Sequence, residues 1–252
     1  MSPSVTAGRV VWSAPSKVLD LVENEIHVWH ASLECVWDLI PLFESTLSDD
    51  EKSRAARFHF THDRESFIAA RGILRGLAGA YLKRAPREVN FQYSPEGKPY
   101  ISEENMDWPI RFNLSHALGT ALYAFARGRE VGIDLERVRS DFPREAIAER
   151  FFAPEEAAEL RAVPSELQAE GFFNCWTRKE AYVKARGKGL QIPLDSFEVA
   201  LSPGAPARFV RGVESWWNLV AFTPEPNYVA ALAFNGSPCK VRFLGFERRV
   251  GL

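Results

Sequence analysis

The stretch Trp176-Thr-Arg-Lys-Glu-Ala-Tyr-Val-Lys-Ala-Arg-Gly-Lys-Gly-Leu190 organises the chain. Phe172, Trp176, Lys179 and Val183 recur at helical spacing, while Glu180 and Lys184 stand four apart and project together from a neighbouring stripe. Gly187 and Gly189 end the helix in the way a left-handed C-terminal position requires. An exposed Glu-to-Lys pair is common on solvated helices and contributes only about 0.2–0.5 kcal/mol. Alone, the pair describes a surface; further acids facing it would make it a site.

Such acids occur in Glu130-Val-Gly-Ile-Asp-Leu-Glu-Arg-Val138, where apolar and other residues alternate as on a strand. Val131, Ile133 and Leu135 face one way. Gly132, Asp134 and Glu136 face the other, with the two carboxylates about 7 Å apart by strand rise and nothing bulky in front of them. Like charges this close belong on an exposed face or beside a hard cation. Adding Glu180 from the helix gives three oxygen ligands with room for water and phosphate oxygens, the coordination magnesium prefers, with manganese as a substitute.

The chain has 252 residues, enough to bury a substantial core as one large domain or two smaller ones. Apolar content of 46%, charged content of 25% and a net charge of −2 are those of an ordinary soluble protein and argue against nucleic-acid binding driven by overall charge. Cys35, Cys175 and Cys239 are few, odd in number and without a close pair, which fits a reducing cytoplasm better than a disulfide scaffold. Met1 to Ser16 is polar and broken by prolines, without the apolar core of a signal peptide or the length of a membrane span. A loose segment is expected over residues 1–24.

Glu25 to Ala31 reads as a first strand, and Ser48-Asp-Asp-Glu51 as a helix start leading to a long helix or helix pair ending near Leu82. His27 and His30 lie on opposite faces of the strand and cannot chelate one ion. His59 and His62 could share a helical face but lack a third ligand. Neither pair is assigned a function. Lys52, Arg54, Arg57, Arg64, Arg71 and Arg75 form a partly one-sided basic run, which on its own reads as a solvated face. Lys98 sits in the turn Tyr93-Ser-Pro-Glu-Gly-Lys-Pro-Tyr100. The strand Ile110 to Leu114 ends in Ser115-His116, and Thr120 to Phe125 returns antiparallel. Adjacent strand residues diverge and no Gly-x-Ser-x-Gly elbow is present, so Ser115 and His116 do not suggest a hydrolase triad. An imidazole at a strand end suits phosphate charge better.

The second half repeats the first in outline: a strand at Gly132 to Glu136, a helix-rich stretch from Pro143 to Arg186, a Gly-Lys turn, then strands near Phe197 to Leu201, Trp217 to Phe222 and Tyr228 to Phe234. The expected fold is α+β, with two similar α/β lobes related by a pseudo-twofold, residues 25–130 and 131–252, and an active site in the cleft between them.

In combination, Phe112-Asn-Leu-Ser-His116, Gly132-Ile-Asp-Leu-Glu136, Arg150-Phe-Phe-Ala-Pro-Glu-Glu156 and Trp176-Thr-Arg-Lys-Glu-Ala-Tyr-Val-Lys184 resemble the surfactin-type 4′-phosphopantetheinyl transferases in order and spacing, from about His27 to about Phe234. The resemblance implies transfer of phosphopantetheine from coenzyme A to a serine of an apo acyl, peptidyl or aryl carrier protein, by a monomeric, magnesium-dependent enzyme. It implies that Asp134, Glu136 and Glu180 hold the metal, with Glu180 also the candidate base. Lys184 and His116, with Ser115 beside it, would meet the pyrophosphate, and Glu156 would support that network. Arg54 and Arg71 would contact the 3′-phosphate and Lys98 the nucleotide end; Glu51 stands where the family has a lysine. A docking surface for the carrier is expected near Phe142 to Leu167.

No Walker loop or dinucleotide fingerprint is present, which weakens kinase and dehydrogenase readings. Two alternatives use the same residues. A magnesium-dependent nucleotide phosphohydrolase needs the acids but no protein acceptor, and a non-catalytic coenzyme A-binding protein needs only the basic groups.

Overall fold

The computed structural model describes residues 8–16, 18–102 and 109–248. The first seven residues of the expected N-terminal segment, and Lys17 within it, lie outside the described residues. The chain opens with β1 (Glu25–Ser32), then α1 (Ile40–Thr46), α2 (Asp49–Ala55) and the long α3 (Thr61–Leu82). A small hairpin, β2 (Phe91–Tyr93) and β3 (Pro99–Ile101), precedes the pair β4 (Ile110–Ala117) and β5 (Thr120–Arg127). The second half runs β6 (Val131–Arg137), α4 (Arg144–Phe151), α5 (Pro154–Ala162), α6 (Gln168–Arg186), β7 (Glu198–Val199), β8 (Phe209–Arg211), β9 (Trp217–Phe222), β10 (Tyr228–Asn235) and β11 (Lys240–Gly245).

Two sheets dominate, in the orders β11-β1-β5-β4 and β6-β10-β9. Their faces are sorted by period-two alternation. On β5, Ala121, Tyr123 and Phe125 pack under α3, while Leu122, Ala124 and Ala126 point to the second sheet. On β10, Ala230, Leu232 and Phe234 meet the first sheet, while Val229, Ala231 and Ala233 lie under α6. The result is four layers, helix on sheet on sheet on helix, an α+β fold in which each long helix packs on a mainly antiparallel sheet. α3 is buried almost continuously from Phe67 to Tyr81, as a helix that is apolar on most sides requires.

Three features depart from the sequence-based expectations or add to them. First, residues 8–24 are not loose where described. Val10 N donates to Thr223 O at 3.2 Å, Gly245 N donates to Ser13 O at 2.9 Å, and the Trp12 ring stacks on His30 with centroids 4.9 Å apart. The segment closes the side of the sheet-to-sheet core. Second, β11 returns from the second half and pairs parallel with β1, covering what would otherwise be an open strand edge. The last strand of residues 131–252 thus belongs to the first sheet. Third, α6 packs directly on the Gly132 face of β6. A Cβ there would lie 2.2 Å from both Ala181 O and Ala185 N, so only glycine lets α6 lie directly on β6.

Among the histidines, His27 is buried with Nδ1 2.7 Å from the Tyr81 hydroxyl, and the exposed His62 meets Trp37 edge to face.

Candidate active site

The close approach of α6 to β6 brings Lys184 over Asp134. Lys184 Nζ lies 2.6 Å from Asp134 Oδ1, and the Ser115 hydroxyl on β4 donates to the same oxygen at 3.1 Å while standing 3.2 Å from Lys184 Nζ. A helix and a strand of the first sheet therefore converge on one carboxylate oxygen of the second sheet. The other, Asp134 Oδ2, is buried and has no partner. Leaving a charged acceptor buried and unpaired is costly, and a cation is the natural group to complete it.

The neighbouring acids carry the same signal. Burial, and then the charge of Asp134, push the Glu136 carboxyl up to about 7 in spite of Arg139 and Lys184. Burial and Asp134 also raise Glu180, with Lys184 opposing them. Carboxyls crowded in this way resist ionising together unless positive charge is added. Among the described residues, no three His, Cys, Asp or Glu side chains are gathered tightly enough to hold an ion as they stand. The fit of Asp134, Glu136 and Glu180 to a divalent cation rests on their chemistry and on the open oxygen of Asp134, with Lys184 supplying the nearest positive charge.

A cavity of about 710 Å³ opens beside Glu180 and Lys184, walled by Trp176, Phe151, Gly97, Asn113 and the turn around Pro193. That turn is held from beneath. Lys179, fully buried, donates to Leu194 O at 2.6 Å and to Phe197 O, and lies 2.6 Å from Glu156 Oε2. Glu156 in turn accepts from Ala153 N at 2.9 Å and Val199 N at 2.8 Å. Glu156 thus supports the cavity wall through Lys179 and not the acids of β6. Its network is fully satisfied, the condition under which a buried ion pair is tolerated.

The remaining predicted residues divide. His116 is exposed at the end of β4, but the protein packed around its base lowers its pKa, and Lys184 and Arg54 add to the effect. Arg54 borders a second cavity of about 520 Å³ with Arg57, Phe58 and Tyr93. Arg71 is engaged elsewhere: its Nε donates to Glu51 Oε1 at 2.7 Å, and Arg75 Nε donates to Glu51 Oε2 at 2.6 Å. The glutamate standing at the family's lysine position therefore pairs with two arginines at once and leaves one of their two positive charges unmatched. Burial alone would raise the Glu51 carboxyl, yet Arg71 and Arg75 hold it below the usual range.

Lys98 is also turned inward. Its Nζ donates to Ala185 O at 2.9 Å and to Val131 O and Glu130 Oε2 at 3.3 Å, tying the hairpin turn to the end of α6 and the start of β6. Burial lowers its pKa despite Glu130. The sequence shows Lys98 in a turn, but its contacts join positions far apart in the chain and leave no local mark there. Asn113 and Arg111 do carry a sequence signal, as polar residues at every second position of β4, opposite the apolar Phe112 and Leu114.

Comparison with known proteins gives the class that this fold and site define. The family described as 4′-phosphopantetheinyl transferase superfamily matches residues 130–233, and 4′-phosphopantetheinyl transferase, N-terminal, matches residues 29–125. The chain is 39% identical over 232 residues to the 4′-phosphopantetheinyl transferase HetI of Nostoc sp., covering 92% of this chain and 97% of the relative. It is 31% identical over 160 residues to the 4′-phosphopantetheinyl transferase Sfp of Bacillus subtilis, covering 63% and 68%. A holo-(acyl-carrier-protein) synthase from Bacillus anthracis, solved in complex with CoA, superposes with a TM-score of 0.37 at 20% identity, over 43% of this chain and 96% of that one. The chain belongs to the 4′-phosphopantetheinyl transferase family.

Proposed function

We propose that the protein moves the 4′-phosphopantetheine arm of coenzyme A onto the serine hydroxyl of an apo carrier protein, with its chemistry at the junction of β4, β6 and α6. In this reaction the serine oxygen forms a bond to the phosphorus bearing the pantetheine, the bond from that phosphorus to the bridging pyrophosphate oxygen breaks, and 3′,5′-ADP leaves. The observation that carries the reading is the buried, unpartnered Oδ2 of Asp134 beside Lys184, in a chain of this family.

Asp134, Glu136 and Glu180 would hold a divalent cation, magnesium by the chemistry of the donors. When bound, such an ion supplies positive charge to the pyrophosphate oxygens. Lys184 adds a cation that is already oriented by Asp134 and Ser115, so little reorganisation is required as charge shifts to the leaving group. His116, at the open end of β4, donates to the same oxygens. Glu180 lines the large cavity, and its raised pKa suits a group that takes the serine proton. Arg54 and the arginine-rich second cavity suit the 3′-phosphate, whereas Arg71 is already hydrogen-bonded to Glu51, which it shares with Arg75. The two lobes, divided near residue 130, would present the carrier to this junction. Among the described residues, no helix is long and apolar enough to cross a membrane. A monomeric enzyme of the cytoplasm is our reading.

The decisive experiment incubates the protein with coenzyme A, magnesium and an apo carrier and follows the carrier by intact mass. One added phosphopantetheinyl group supports the proposal. Release of phosphate or nucleotide without a modified carrier would favour the phosphohydrolase, and coenzyme A binding without turnover would favour a binding protein.

A further inference from the structure

The outer strands β4 and β6 run side by side, yet they belong to different sheets and share no backbone ladder. They are joined by alternate side chains of β4. Arg111 Nε lies 3.1 Å from Glu130 Oε1, Asn113 Oδ1 accepts from Ile133 N at 2.9 Å, and Ser115 Oγ accepts from Leu135 N at 3.3 Å. From Asn113 to Ser115, two residues along β4 correspond to two along β6, Ile133 to Leu135, so these side chains keep the strands in parallel step, while Arg111 ties β4 to the residue just before β6. Ile133 and Leu135 flank Asp134, and the bonds made by Asn113 and Ser115 therefore set its position along the seam.

Most of the remaining contact between the sheets is apolar, with Ile26, Val28, Leu122 and Ala124 against Ile133, Leu135 and Leu232, and the other polar links, Thr120 to Glu225 and the Tyr228 hydroxyl to Leu118 O at 3.1 Å, lie beyond the end of β4, past the acids. Apolar packing is non-directional and does not by itself choose the height of one strand against the other. A hydrogen bond to a backbone N–H does, because its geometry is narrow and an unpaired buried N–H is costly. Asn113 is the member best placed to act this way. It is buried at 7% exposure, it makes the shorter of the two bonds to β6 backbone, and, unlike Ser115, it makes no bond to Asp134 or Lys184.

We propose that Asn113 is a positioning residue for the transfer reaction: by holding Ile133 it fixes β6 against β4, so that Asp134 and Glu136 from one sheet stand level with Ser115 and His116 from the other. The inference rests on the site assignment made above. Misplacing reacting groups by about 1 Å costs up to about 10²-fold in rate, so a loosened seam acts on turnover before it acts on substrate affinity.

The test compares Asn113→Leu, which keeps the volume but removes the acceptor, with Asn113→Asp, which retains it. Asn174→Leu is the control, since Asn174 is equally buried and donates to Leu201 O at 3.3 Å away from the acids. Expected for Asn113→Leu is a kcat lower by about 10- to 10²-fold with the coenzyme A KM changed by less than about threefold, and recovery to within a few-fold in Asn113→Asp. Asn174→Leu should lose melting temperature and keep its kcat. Overturning results are an Asn113→Leu that loses only melting temperature, an Asn113→Asp no better than Asn113→Leu, or a raised KM at unchanged kcat, which would make Asn113 a substrate contact. If Asn113→Leu does not fold, Asn113→Ala takes its place in each comparison. Wild-type transfer in the same assay separates the two readings. Without it the proposed reaction fails, while amide hydrogen exchange at Ile133, faster in Asn113→Leu than in Asn113→Asp, still reports on the seam; equal exchange sinks the inference.

Discussion

Lys184 Nζ and Asp134 Oδ1 lie 2.6 Å apart, and this contact occupies one oxygen of Asp134 while the other stays unpaired. On the proposed reading the lysine and a metal ion would share one carboxylate. Asp134→Asn keeps the shape and removes the charge; kcat should fall by about 10²-fold or more, and the rise in melting temperature on adding magnesium should disappear. Lys184→Met should also lower kcat, but with the magnesium midpoint moved to lower concentration, because a competing cation is gone. Wild-type turnover of both variants at limiting magnesium would remove Asp134 from the site.

The contact depends on Gly132. In Gly132→Ala the new methyl meets the backbone of Ala181 and Ala185 at 2.2 Å, and neither helix backbone nor strand has room to give. Overpacking of this kind costs about 1–3 kcal/mol or more, and it displaces α6, which carries Glu180 and Lys184. A lowered melting temperature together with lost transfer is the expected pair of results. A variant with unchanged melting temperature would mean that α6 does not rest on Gly132.

Acid sensitivity should trace to Glu51. Its folded pKa is depressed, because Arg71 and Arg75 outweigh burial, so the stability it contributes is full above its unfolded value of about 4.3 and is lost as pH falls through the folded one. Breaking a buried ion pair costs about 3–5 kcal/mol. Glu51→Gln should therefore melt lower at neutral pH, and the gap to wild type should narrow as the pH drops below 4. A constant gap across that range would show that Glu51 is not the ionised partner of the two arginines.

Lys98 and Arg54 should separate. Lys98 bridges the turn to Ala185 and Val131, so Lys98→Ala is expected to lower both melting temperature and kcat as well as raise the coenzyme A KM. Arg54→Ala should raise KM alone, and much less with dephospho-coenzyme A as substrate. An equal penalty with and without the 3′-phosphate would exclude Arg54 from that group, and a Lys98→Ala that changes KM only would restore it to the nucleotide.

Periodicity carried most of the fold. The alternation of Val131, Ile133 and Leu135 with Gly132, Asp134 and Glu136 predicted which face each residue takes, and the four-residue step from Glu180 to Lys184 put both on one side of α6. Such patterns are local, since strand and helix geometry dictate them over a few residues. What lies before a face is not local: no spacing rule puts α6 in front of Gly132, where the structure lays it. In the same way β11 on β1, the docking of Trp12 on His30 and the inward turn of Lys98 join positions far apart in the chain, and no spacing rule records them.

The sequence by itself determined the chemical inventory of this protein: three acids and a lysine on a strand and a helix of known facing, within a family order of motifs. Tertiary structure decided the partnerships. Arg71 and Glu51 pair because α2 and α3 pack together, Glu156 serves the cavity wall because Lys179 reaches it from α6, and Asp134 meets Ser115 because Asn113 holds two separate sheets in step. The physical reason is one of range. Facing is set by backbone geometry within a few residues, whereas a charge or a buried N–H takes whichever partner the completed packing brings within about 3 Å.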